Sequence, residues 1–147
     1  MELVLLIGIP GSGKSTYART LGKPVISLDA IRRQLYGDAN ILGKSSETDR
    51  EQRRRLEALA QTGRDVVLDA THVSKTRRLR MIRLGRRLGY DRIVGIWLKT
   101  PVAECIARNR RRRRRVPDFV IYKLQHDLDR QPPAPDEGFD ALVQVDT

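Results

Sequence analysis

The sequence has few of the residues on which several classes of protein depend. It contains a single cysteine, Cys105, which excludes an intrachain disulfide framework and a cysteine-based zinc site. No apolar run approaches the roughly 18–20 residues that a membrane span needs. The first residues, MELVLLIG, lack a basic region and an Ala-x-Ala-like cleavage site, so we expect a buried strand there rather than a signal peptide. These absences predict a cytoplasmic protein with no membrane segment and no disulfide partner.

Aromatic residues make up only 5% of the 147 residues, whereas charged residues make up 32%. A chain of this length can bury a core, and we expect one domain over residues 1–147. The formal net charge is +11, which predicts a polyanionic partner or a phosphate-rich ligand. Arginine outnumbers lysine 23 to 6. Genomic base composition can account for that ratio but not for the excess of positive charge.

Apolar segments of strand length alternate with amphipathic segments, which predicts a doubly wound α/β fold. The all-apolar segment 3–7 is typical of a parallel strand covered on both faces. Thr100 is the predicted N-cap of a helix that starts at Pro101, and Cys105 is expected to pack in the core from that helix. The predicted strands are 3–7, 24–28, 65–69, 92–98 and 141–145, and the predicted helices are 14–21, 30–36, 46–61, one from 74 or 75, one from 101, and 118–128, with a loop over 38–45.

The strongest functional signal is the glycine-rich segment GIPGSGKS, residues 8–15, between the first predicted strand and helix. It fits the G-x-x-x-x-G-K-S pattern in the context that a phosphate-binding loop requires. Glycines let backbone N–H groups turn inward, and the helix N-terminus adds its positive end. In this interpretation Lys14 reaches the β- and γ-phosphates and the Ser15 hydroxyl binds Mg²⁺. The predicted ligand is ATP or another nucleoside triphosphate, bound by Gly8, Ile9, Pro10, Gly11, Ser12, Gly13, Lys14, Ser15 and Thr16.

Asp29 follows the second predicted strand, so we expect it at the same sheet edge as the phosphate loop. A carboxylate there can accept a proton from an attacking hydroxyl. Arg32 lies one helical turn later and is expected to point the same way, toward an acceptor or its phosphate. Alternatively, Asp29 is the N-cap of the helix at Ala30, and the two roles are not exclusive.

Asp69 ends the third predicted strand, again at this edge, where it can hold Mg²⁺ through water. Thr71 and His72 follow it. Because His72 has no second histidine or carboxylate pattern around it, we expect an exposed loop histidine in preference to a substrate contact.

Residues 110–115 are six consecutive arginines, preceded by Arg108 and Asn109 and followed by Val116 and Pro117. A run of like charge is usually a solvated segment. Because this run lies between two predicted helices, we favour a lid whose guanidinium groups neutralise a transferring phosphoryl group. Six arginines exceed what one triphosphate needs, and the surplus suits a nucleic-acid backbone bound in a salt-dependent way.

Taken together, these segments resemble the kinase domain of the phage-type 5′-polynucleotide kinases, which are AAA-type P-loop kinases. The resemblance rests on GIPGSGKSTYAR over 8–19, ISLDAIRRQ over 26–34, VVLDATHVSKTRR over 66–78 and the lid over 107–117. It implies a three-layer P-loop NTPase fold with a five-stranded parallel sheet in the order 2-3-1-4-5, helices on both faces and an arginine-rich lid. It also implies ATP and Mg²⁺ as cofactors and a nucleic-acid 5′ end as substrate.

The resemblance also implies roles for single residues. Asp29 corresponds to the general base, and Arg32 to the arginine that holds the acceptor phosphate. Asp69 lies in the segment near the metal and the acceptor, with Thr71 beside it in the predicted substrate site.

Two lid arginines are candidates for contacts with ATP. The resemblance implies that Arg112 contacts the transferring phosphate and Arg108 the adenine, although a one-residue difference in lid length leaves Arg112 interchangeable with its neighbours. The predicted catalytic residues are Lys14, Asp29 and Arg112.

The chain departs from the family pattern in two ways. We expect no separate 3′-phosphatase domain, and Leu28 and Ala30 flank Asp29 where the family often carries an extra acid or arginine. Two alternatives therefore stay open. One is a P-loop kinase that acts on a small molecule such as a sugar acid, an antibiotic or a nucleoside. The other is a nucleic-acid-stimulated ATPase or a nucleotide-gated binding module.

Overall fold

The computed structural model describes residues 1–37, 45–112 and 116–147, within which strands and helices alternate as predicted. The strands are β1 (Glu2–Ile7), β2 (Val25–Ser27), β3 (Val66–Asp69), β4 (Arg92–Lys99) and β5 (Ala141–Asp146). The helices are α1 (Lys14–Thr20), α2 (Leu28–Tyr36), α3 (Ser45–Gln61), α4 (Lys75–Arg87), α5 (Val102–Arg110) and α6 (Asp118–Arg130), and a 3-10 turn spans Pro135–Glu137.

The five strands form one parallel sheet in the order β2-β3-β1-β4-β5, which confirms the predicted topology. β1, which is apolar from Leu3 to Ile7, lies at the centre, where Leu5 pairs with Leu68 of β3 on one side and Gly95 of β4 on the other. At the carboxyl end, Ser27 of β2 is in register with Asp69 of β3. Since parallel strands end at one edge, the loops after β1, β2 and β3 meet there.

The two faces of the sheet are covered unequally. Alternate side chains of β1 point to opposite faces, as the two-residue period of a strand requires. Val4 and Leu6 belong to a cluster with Ala18 of α1, whereas the other five helices contribute to the cluster around Leu3 and Leu5. No helix among the described residues is long and apolar enough to cross a membrane.

The start of α5 differs from the prediction. The helix begins at Val102 with Pro101 in the N-cap position, so Thr100 is not the cap. Its hydroxyl donates instead to the Ser12 carbonyl at 3.2 Å, because the chain turns there toward the loop after β1. Cys105 is fully buried in the core, which confirms its predicted packing role. Most of the predicted loop over 38–45 and arginines 113–115 lie outside the described residues.

Candidate active site

The loop after β1 has a backbone that only glycine adopts readily. Gly11 and Gly13 have φ angles of 87° and 93°, in the left-handed region. A Cβ on Gly11 would also lie 2.5 Å from the Cys105 carbonyl oxygen, so any side chain there would force the loop away from α5. The residue before α1 has no side chain that could cap the helix, which leaves the N–H groups of its first turn available to an anion. This is the backbone arrangement of a phosphate-binding loop.

Three neighbouring segments form hydrogen bonds with the phosphate loop. The Gly8 N–H donates to the Thr71 carbonyl at 3.0 Å, and the Thr100 hydroxyl donates to Ser12. From α5, the Arg108 guanidinium donates to the Gly11 carbonyl at 3.3 Å. The predicted residues Thr71 and Arg108 therefore both lie against the phosphate loop.

Lys14 is close to charged residues from three other segments of the predicted site. Its Nζ donates to the Ile9 carbonyl at 3.1 Å. Burial lowers the pKa of Lys14, while the charges of Asp69 and Asp29 oppose that shift and the charge of Arg112 adds to it. Asp69, Asp29 and Arg112 are thus each close enough to Lys14 to act on it electrostatically. A bound triphosphate would favour the charged form of Lys14.

Ser15 and Asp69 provide a site that fits Mg²⁺. The Ser15 hydroxyl donates to Asp69 Oδ2 at 2.8 Å, joining the first turn of α1 to the end of β3. Hydroxyl and carboxylate oxygens are the donors that Mg²⁺ prefers, and this ion keeps several waters beside one or two protein ligands. Within the described residues no three His, Cys, Asp or Glu side chains cluster as metal ligands, so a metal here would depend on water and phosphate oxygens for the rest of its shell.

Asp29 and Arg32 form an ion pair beside this site. Arg32 Nη1 lies 3.1 Å from Asp29 Oδ1, one helical turn apart on α2, and both side chains are partly exposed. Asp29 is not the N-cap of α2. Ser27 takes that position, because its hydroxyl oxygen accepts the Ala30 N–H at 3.2 Å. The Asp29 carboxylate is therefore not engaged in capping.

The residues on either side of the arginine run in the predicted lid are joined by Asn109, which the sequence analysis did not identify as functional. The side chain of the buried Asn109 accepts the Val116 N–H at 3.0 Å and donates to the Val116 carbonyl at 2.6 Å. This pair of bonds brings together Asn109 and Val116, the two residues that flank the arginine run. Arg112, at the end of the described part of the run, is exposed to solvent and acts electrically on Lys14.

His72 lies in the interior, so the predicted exposed histidine was wrong. It is only 3% exposed, has a φ of 48°, and its Nδ1 lies 2.6 Å from the Leu6 carbonyl oxygen. Because a carbonyl only accepts, the neutral ring must carry its proton on Nδ1. Burial lowers the pKa of His72 to about 4, helped by the nearby charges of Arg77, Lys14 and Arg78.

This buried ring makes stability depend on pH. The depressed pKa means that the unfolded chain binds a proton on His72 below about pH 6.5, while the folded chain stays neutral down to about 4. The free energy of unfolding should therefore fall by about 3 kcal/mol as the pH drops through that window. Urea titrations at several pH values measure the slope. We expect a smaller slope for His72→Gln and the parent slope for His126→Gln on the exposed face of α6, and equal slopes in all three proteins would contradict the assignment.

The fold and this site define a P-loop kinase-like α/β domain, a class that uses a nucleotide and a metal. The sequence model of the AAA domain matches residues 3–130, so the chain belongs to this AAA-domain family. No curated protein sequence matches it significantly.

Solved structures with the same fold act in different settings. A chain of the Pnkp1/Rnl/Hen1 RNA repair complex is 25% identical with a TM-score of 0.79, and the match covers 95% of this chain but only 46% of that one. Kti12 of Chaetomium thermophilum in complex with ADP-AlF3 is 21% identical (TM-score 0.71; 98% of this chain, 88% of that one). A gluconokinase from Sinorhizobium meliloti is 19% identical (TM-score 0.61; 99% and 82%). The last two likenesses show the fold alone.

Proposed function

We propose that the protein transfers the γ-phosphate of ATP to a hydroxyl, specifically the 5′-OH of a polynucleotide. The observation that carries this proposal is the position of the Asp29–Arg32 pair beside Lys14. The Asp29 carboxylate is close enough to Lys14 to affect its charge, and the Arg32 guanidinium lies 3.1 Å from that carboxylate.

Each charged group has a defined part in the transfer. Lys14 binds the β- and γ-phosphates, and Asp29 accepts the proton of the attacking hydroxyl as the new O–P bond forms and ADP leaves. Arg32 holds a phosphate of the acceptor strand, and Thr71 is a second predicted contact with the acceptor. Arg112 neutralises the transferring group, and Arg108 contacts the adenine. Ser15, with Asp69 through water, would hold Mg²⁺, which would neutralise charge on the phosphate oxygens.

The choice of acceptor is supported by charge. The net charge of +11 is more than one nucleotide can use, and it suits a strand of phosphates. The likeness to a chain of an RNA repair complex, at 25% identity, is consistent with a nucleic-acid acceptor.

The decisive assay follows label from γ-labelled ATP into a 5′-OH oligonucleotide at low and high salt. We expect label at the 5′ end, weaker labelling at high salt, and none with Lys14→Ala. The same preparation is offered sugar acids and other small alcohols. Label on a small alcohol alone would identify a small-molecule kinase, and ATP hydrolysis stimulated by the oligonucleotide without labelled product would identify an ATPase.

A further inference from the structure

Two of the seven aromatic residues of the chain are exposed, and they lie together. All seven fall within the described residues. Phe119 is 71% exposed and Tyr122 57% exposed, whereas the other five are buried or partly buried. Phe119 and Tyr122 are one turn apart on α6, so their rings share one face of the helix. Neighbouring exposed aromatic side chains often mark an interaction surface, and here two of only seven aromatic residues lie side by side in solvent.

The face of α6 that carries Phe119 and Tyr122 does not belong to the hydrophobic core. The opposite side of α6 packs into the core through Ile121 and Leu128, which are 0% and 3% exposed. The exposed residues of α6 also include Lys123, His126, Asp129 and Arg130, and Lys123 Nζ lies 3.0 Å from Asp127 Oδ2. We call Phe119, Tyr122 and Lys123 the α6 ridge.

Cations of the lid segment lie beside the ridge. Arg110 Nη2 is 2.8 Å from the carboxylate of Asp118, the residue before Phe119. Tyr122 is also close enough to act electrically on the Arg110 guanidinium. Through Arg108, the same α5 helix reaches the phosphate loop. The ridge is therefore connected by one short segment to the site where phosphate transfer is proposed.

We propose that the α6 ridge is a docking surface for single-stranded nucleic acid. The rings of Phe119 and Tyr122 stack on successive bases, and Arg110, Arg111 and Lys123 contact the phosphates between them. Aromatic platforms flanked by cations are how proteins bind single strands without reading sequence, because every base has a π-face. A duplex hides those faces, so the ridge selects single-stranded ends. The acceptor role of this strand rests on the proposed function, but its binding does not.

The charge of the surface argues against a second copy of the chain as the occupant. A two-fold interface through the ridge would bring the same patch of two copies together. With a net charge of +11 on each copy, that approach is opposed electrically. The same positive charge attracts a polyanion such as a nucleic-acid strand.

The test measures binding of a labelled single-stranded oligonucleotide by fluorescence anisotropy, without ATP. We expect Phe119→Ala and Tyr122→Ala each to weaken binding by about tenfold. Phe119→Leu, which keeps an apolar side chain but no ring, should weaken it similarly, whereas Phe119→Trp should restore it. The matched control is Val143→Ala, which removes another exposed apolar side chain, 47% exposed, on the edge strand β5.

Salt dependence separates the two kinds of contact. The aromatic variants should keep the parent slope of log affinity against log salt, while Arg110→Ala should reduce it by about 1. Parent-like affinity in both alanine variants would overturn the proposal. The proposal would also be overturned if sedimentation showed that the parent is a dimer and that the same substitutions dissociate it.

The binding assay also separates this inference from the proposed function. If the parent binds the strand through the ridge but transfers no phosphate, the proposed function fails and the ridge stands. If the parent labels the oligonucleotide and the ridge variants keep both its affinity and its KM, the ridge fails and the kinase stands.

Discussion

Asp29→Asn is expected to slow phosphoryl transfer by about 10²–10⁴-fold, the usual contribution of a positioned general base. Asparagine has nearly the same shape and keeps an oxygen that can accept from Arg32, 3.1 Å away in the parent. It cannot accept the proton of the attacking hydroxyl. Because Asp29 is not the N-cap of α2, the substitution leaves that cap intact. The measurement is single-turnover transfer from γ-labelled ATP, with ATP affinity determined in parallel.

The control for this experiment is Lys14→Ala, which removes the phosphate-binding cation. It should weaken ATP binding as well as transfer, whereas the asparagine variant should lose transfer alone. Transfer at the parent rate by Asp29→Asn would remove Asp29 from the role of base. A joint loss of ATP affinity would instead place it in nucleotide binding.

Arg78→Met is expected to lower the free energy of unfolding by about 3–5 kcal/mol, because it leaves a buried carboxylate unpaired. Arg78 and Glu137 are 0% and 1% exposed, and two guanidinium nitrogens lie 2.8 Å from the two carboxylate oxygens. The same guanidinium donates to three carbonyls, those of His72, Val73 and Gln131. It thereby ties the segment after β3 to the segment after α6. Urea unfolding measures the change.

Two controls distinguish a buried pair from charge in general. Arg53→Ala breaks an exposed pair with Glu57, in which the side chains are 56% and 41% exposed, and should cost only a small fraction as much. The double variant Arg78→Met/Glu137→Met should recover part of the loss, since both buried charges are then removed. A single variant as stable as the parent would show that the pair does not hold these segments.

Local patterns in the sequence were enough to predict the strands and the phosphate loop, whereas the order of the strands was predicted from the family resemblance. The strand–GxxxxGKS–helix arrangement is local, since its glycines, lysine and serine lie within eight residues. Parallel strands end at one edge, so Asp29 and Asp69 could be expected near Lys14 without knowledge of side-chain positions. Their roles in catalysis stay predictions.

Contacts between distant segments could not be predicted in the same way. His72 follows a strand in a polar segment, and nothing nearby in sequence shows that β1 offers it the Leu6 carbonyl, 66 residues away. Arg78 looks like one of many surface arginines on α4, and its partner is 59 residues further along. Thr100 precedes a proline as an N-cap residue often does, yet its hydroxyl donates to the carbonyl of Ser12, 88 residues earlier.

The sequence by itself thus determined the fold class, the phosphate loop and the set of charged residues around it, because these depend on periodicity and on short motifs. Only the tertiary structure decided which histidine and which arginine are buried, which residue caps α2, and that Phe119 and Tyr122 face solvent together beside Arg110. The reason is physical: whether a polar side chain is buried depends on partners supplied by distant segments, and those partners exist only once the chain has packed.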